Sequence, residues 1–63
     1  MESPFLFKEG DLVRHKLNNI TMVILKRKLL HDFSQEYLVR FIDYEGKFKC
    51  ETVYEHELRA KGE

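Results

Sequence analysis

From Tyr37 onward, apolar and polar residues alternate, pause and alternate again: Tyr37 to Ile42, then Asp43-Tyr44-Glu45-Gly46, then Lys47 to Tyr54. A period of two marks a strand with one face in a core. The pause is made of acidic and glycine turn residues, so the segment predicts a β-hairpin with a tight loop. Upstream, Leu12 to Leu17 alternates as a first strand, with Val13 and Leu17 expected on one face. Lys8-Glu9-Gly10-Asp11 before it and Asn18-Asn19 after it are turn signals. Ile20 to Leu25 reads Ile-Thr-Met-Val-Ile-Leu and is apolar on both faces. It predicts a strand whose outer side is covered by the N-terminal arm or by a partner. Lys26-Arg27-Lys28 closes the run, and residues 29–36 lose the period. Strand continuation followed by a loop is expected there, with a one-turn helix from Asp32 as the alternative. Tyr54-Glu55-His56-Glu57 predicts a 3₁₀ turn. Leu58-Arg59-Ala60 follows as a short last strand, and Lys61 to Glu63 are expected to fray.

Five short strands with a 3₁₀ turn before the last predict an all-β fold. The expected form is a small five-stranded SH3-like (Tudor-like) barrel over residues 8–60, preceded by an apolar arm over residues 1–7. An oligonucleotide-binding barrel competes, but it needs longer strands and a helix before the fourth. In the arm, Phe5, Leu6 and Phe7 are too apolar to leave in water. They are expected to pack over an open end of the barrel or to insert into a neighbouring copy.

Size sharpens this picture. A chain of 63 residues buries only about 60% of its unfolded surface. Cys50 is the single cysteine, so no disulfide framework supplements the core. Sharing a core between copies is one way to compensate, so a homo-oligomer or another protein is the expected partner. A lone cysteine, with no basic start and no long apolar run at residues 1–7, points to a reducing, cytoplasmic setting. No apolar stretch approaches the roughly 20 residues that span a bilayer.

The formal net charge is zero, which argues against general polyanion binding. The charges are uneven, however. Residues 8–30 hold Lys8, Arg14, Lys16, Lys26, Arg27 and Lys28 against Glu9 and Asp11, while residues 31–63 lean acidic. Cross-strand pairing within one sheet is the simpler account. A nucleic-acid-associated barrel is the alternative function. It would contact phosphate through Arg14, Lys16, Lys26, Arg27 and Lys28, clustered if the first two strands pair.

Two resemblances bear on the fold. Phe7-Lys8-Glu9-Gly10-Asp11-Leu12-Val13-Arg14, Ile20-Thr21-Met22-Val23-Ile24, Arg40-Phe41, Gly46-x-Phe48 and Glu57-Leu58 together resemble the YodC-like family of small bacterial proteins. The resemblance covers roughly residues 7–58 and implies an SH3-like barrel of bacterial type, with no activity attached. Leu38 or Val39 stands where that family often has cysteine, and Asn18-Asn19 where it often has Gly-Gly. Locally, Val39 to Gly46 is similar to the third strand and following loop of Tudor domains. That likeness implies a cage for methylated Lys or Arg at Phe41 and Tyr44. The first hairpin has no tryptophan or tyrosine to complete it.

Catalytic and metal chemistry have little to work with. His15, His31, His56 and Cys50 fall in no ligand-spaced motif. Cys50 alternates with Phe48 and Thr52 and reads as a small core residue rather than a nucleophile. Glu55 and Glu57 lie on an exposed turn, where nothing excludes water. The chain is therefore read as a non-catalytic protein-interaction or self-associating module without a cofactor. Its candidate contacts are Phe5, Phe7, Leu29, Leu30, Phe33, Phe41, Asp43 and Tyr44. Tyr44, between two acids, is expected to be exposed, with Phe41 turned away from it. If both rings instead face one concavity with Asp43, a small cation fits there.

Overall fold

In the computed structural model of the chain, which describes residues 4–61, the alternating segments become strands. β1 (Leu12–His15), β2 (Thr21–Leu29), β3 (Gln35–Ile42), β4 (Phe48–Tyr54) and β5 (Leu58–Ala60) form one antiparallel sheet in the order β4-β3-β2-β1-β5. A 3₁₀ turn, Glu55–Glu57, leads into β5, and no α-helix occurs among the described residues. The sheet is open: β4 and β5 are its two edges. The first three arm residues, and part of the frayed end expected at 61–63, lie outside the described residues.

The core gathers on one face. Val13, Met22, Ile24, Tyr37, Val39, Val53 and Leu58 are buried there, so all five strands contribute. Phe7 joins them from the arm. Phe5 and Phe7 both meet Tyr37 edge-on, with ring centroids 5.9 and 5.7 Å away. The described part of the arm thus lies on the inner face of its own sheet. Among the described residues, the outer side of β2 is left without the cover that its apolar sequence suggested.

Local departures from the sequence reading have physical causes. β1 stops at His15 because the chain turns: Leu17 N–H donates to His15 Nδ1 at 3.1 Å, and Asn19 adopts φ +59°. Asparagine tolerates that left-handed conformation better than most residues. Leu17 is therefore 89% exposed rather than beside Val13. In β2 the register with β3 shifts between Ile24 and Lys26, making Leu25 a bulge. One inserted residue turns Lys26 to the outer face beside Leu38. After β2 a tight turn forms instead of a helix: Phe33 N–H donates to the Leu30 carbonyl and Leu30 N–H to the Ser34 carbonyl, each at 2.9 Å. Asp32 caps it by accepting from Ser34 N–H at 3.0 Å.

The β3–β4 loop is built around Asp43. Its Oδ1 accepts from Glu45 N–H and Lys47 N–H, both at 2.9 Å. Gly46 closes the loop at φ +83°, a conformation that costs an L-residue about 1–2 kcal/mol. The hydrogen bonds from Lys47, then Lys49 and Glu45, hold the Asp43 carboxyl below its usual range.

Candidate interaction surface

Strand alternation sorts each residue to one of two faces. With Val13, Met22, Val39 and Val53 inside, the outer face of the sheet runs Leu12–Val23–Arg40–Cys50 across four strands. Ile42 and Phe48 pair beside that row. Leu12, Ile42 and Phe48 are 49%, 54% and 63% exposed. Together with Ile20, Val23 and Phe41 they line an apolar groove of about 590 Å³. The Arg40 guanidinium lies over the Phe48 ring, 4.2 Å from its centroid. Such a contact holds the ring flat on the surface while leaving the cation accessible.

Cys50 sits on this outer face and is exposed. The expectation of a core cysteine is corrected here. Cys50 does share a face with Phe48 and Thr52, but the core is on the opposite side.

Cations dominate the outer face. Arg14 pairs across the ladder with Arg59, and Lys26 and Lys28 pair with Leu38 and Glu36. The Arg14 and Arg59 Nε atoms are buried without a hydrogen-bond partner among the described residues. The basic residues singled out from the sequence are not brought together as expected. β1 ends before β2 reaches Lys26, which pairs with β3 instead. Thr21 opposite Arg14 is five residues from Lys26, roughly 16 Å along a strand. Arg27 points inward, donating to the Phe7 carbonyl at 3.3 Å with its guanidinium 4.9 Å from the Phe5 ring centroid. Lys16 lies in another concavity, with Glu55 and His56.

The candidate contact residues also divide. Phe5 and Phe7 pack against Tyr37, so the structure does not offer them for docking. Leu29 and Leu30 line a small concavity with His31 and Asp32, and Phe33 stands 77% exposed at φ +67°. Phe41, Asp43 and Tyr44 do line one concavity of about 530 Å³. Tyr44 is 99% exposed, however, while Phe41 packs against the core. Lys49 Nζ stands 3.3 Å from Asp43 Oδ2, so a cation of the chain itself already meets that carboxylate.

Sequence reasoning missed one node. The Tyr37 hydroxyl donates to Glu55 Oε2 at 2.5 Å and accepts from Phe7 N–H at 3.3 Å. Glu55 Oε2 also accepts from Leu6 N–H at 2.8 Å. Arm, β3 and 3₁₀ turn thus meet at one buried hydroxyl. Burial first, then the bond to Glu55, pushes the Tyr37 hydroxyl up to about 12. The signal available was Tyr37 at an inward position with an acid just before the last strand, but nothing in the sequence links the two. Among the described residues no group of three or more His, Cys, Asp or Glu is placed to hold a metal.

Comparison with known families, with curated proteins and with solved structures gave no match to the chain.

Proposed function

We propose that this chain is a non-catalytic protein-interaction module that associates with itself. The observation that carries this reading is the outer face, where Leu12, Ile42 and Phe48 stand exposed around a groove and, among the described residues, no element crosses them. In a domain this small, apolar surface of that kind is an expense unless something covers it. The strand order and the 3₁₀ turn into the last strand support the finer fold, a strongly bent SH3-like sheet of YodC-like type. A single exposed cysteine suits a reducing, bacterial cytoplasm. The Tudor-like cage is less favoured, since Lys49 competes for Asp43 and Tyr44 stands clear of the core.

Sedimentation equilibrium tests the reading. The wild type is expected to associate at micromolar concentration. Ile42→Lys and Phe48→Lys are expected to abolish association with little effect on the melting temperature, because both side chains are more than half exposed. A wild type that stays at 7.6 kDa at all concentrations removes the proposal.

The Arg14–Arg59 pair favours a second reading, nucleic-acid contact through the outer face, because among the described residues these cations have no acidic partner. Binding would then weaken steeply with salt as condensed counterions are released. Absence of a mobility shift with DNA or RNA at about 50 mM salt eliminates it.

A further inference from the structure

β4 has β3 on one side and no strand on the other. Its pairing with β3 decides which backbone groups are left over. Asp43 N–H donates to the Lys47 carbonyl at 2.9 Å, so Asp43 and Lys47 form a hydrogen-bonded pair at the hairpin mouth. Hydrogen-bonded and non-bonded pairs alternate along an antiparallel ladder. Phe41–Lys49, Val39–Glu51 and Tyr37–Val53 are then the bonded pairs. Phe48, Cys50 and Thr52 turn their N–H and C=O groups away from the sheet, while Tyr54 N–H already donates to Glu57 Oε2 at 2.8 Å. Such a row is a template for a further strand.

The side chains say which strand fits. Lys49 and Glu51 project from the inner face two residues apart, and both are exposed. Lysines on an edge usually repel a second copy. Here the sign alternates, and the register centred on Cys50 turns repulsion into attraction with no like pair between Lys49 and Glu51. With two β4 strands antiparallel and Cys50 on the twofold axis, Lys49 of each copy faces Glu51 of the other. Cross-strand pairs of opposite charge stabilise, and like pairs destabilise. Sliding by two residues sets Glu51 against Glu51, or in the other direction Lys49 against Lys49. Sliding by one opposes inner side chains to outer ones. The same register pairs Cys50, Phe48 and Thr52 through the outward-facing backbone groups.

We propose that two copies of this chain join by antiparallel β4–β4 pairing centred on Cys50, giving one sheet that runs through both. This rests on the self-association reading above and names its contact. Glu51 has no ion pair within a single chain among the described residues, and the dimer supplies one. Lys49 is then shared between Asp43 and Glu51 of the second copy. On the outer face this register sets Phe48 of each copy against Thr52 of the other, so the two Ile42–Phe48 pairs lie at opposite ends of the joint. Edge pairing lies at the small end of interface sizes, so the affinity is expected to be micromolar.

The test is a charge swap read by sedimentation equilibrium from about 1 to about 500 μM. Lys49→Glu and Glu51→Lys should each weaken the dimer about tenfold, since each turns two attractive pairs repulsive. The combined Lys49→Glu/Glu51→Lys chain should recover it. A second measurement needs no charge variant. Paired residues in this register have Cα atoms about 5.5 Å apart, within disulfide reach. Diamide should therefore take the two thiol hydrogens and link Cys50 to Cys50 in the wild type, and more slowly in Glu51→Lys. A dimer that ignores both single substitutions and resists diamide overturns the β4 joint while leaving self-association standing. A monomer throughout overturns both.

Discussion

Tyr37 is the residue on which the most depends. It is fully buried, and its hydroxyl ties the arm to the 3₁₀ turn through Glu55. Tyr37→Phe keeps the ring and removes those bonds, so chemical denaturation should show a loss of about 1–2 kcal/mol. Its raised ionisation adds a pH signature. A hydroxyl whose folded value, about 12, exceeds the ordinary tyrosine value of 10.0 keeps its proton longer in the folded state. Its contribution is complete below about 10 and is lost as pH rises toward about 12. The wild type should lose stability across that window more steeply than Tyr37→Phe. Phe33 behaves in the opposite sense. At φ +67° and 77% exposed it carries strain without burial. Phe33→Gly should raise stability by about 0.5–1 kcal/mol, the left-handed penalty less the added freedom of the unfolded glycine. A strained, exposed aromatic is also what a contact residue looks like. If Phe33→Gly raises the melting temperature but weakens association, the turn belongs to the interface.

At the scale of elements, the arm and the β3–β4 hairpin lead to different expectations. Removing residues 1–7 takes Phe5 and Phe7 off Tyr37. A core of this size supplies only about 3–5 kcal/mol, so the truncated chain should be largely unfolded by circular dichroism rather than merely monomeric. The hairpin, the 3₁₀ turn and the last strand were legible in the sequence. Each is set by local chemistry: Asp43 and Gly46 for the loop, alternation for β3 and β4, and Tyr54 to Glu57 for the turn. What depended on pairing was not legible. β1 does not extend alongside Lys26 and Lys28, so they stay apart from Arg14 along β2, and no local pattern announces the Leu25 bulge that turns them to the outer face. Cys50 follows the alternation of Phe48 and Thr52, but their apolar character did not reveal which side the core would occupy. Leu17 looked inward until the Asn18-Asn19 turn ended the strand early.

For the whole molecule, the two faces of the sheet carry different loads. The inner face holds the core, the arm and the Tyr37 node. The outer face holds Leu12, Ile42 and Phe48 among arginines and lysines, with none of the described residues above them. The apolar run in β2 anticipated a surface needing cover, by the arm or by a partner, and Phe5 and Phe7 of the arm pack on the inner face. With Phe5 and Phe7 on the inner face, the outer face and the β4 edge stay exposed among the described residues, as the proposed self-association requires.

Amide chemical shifts followed over a concentration series test this claim most directly, because they report where copies touch without changing a residue. The account predicts shifts that move with concentration at Phe48 to Tyr54, and at Leu12, Val23 and Ile42 on the outer face. Phe7, Tyr37 and Glu55 should stay still. Shifts that do not change with concentration, or that move at the arm and not at β4, would contradict it.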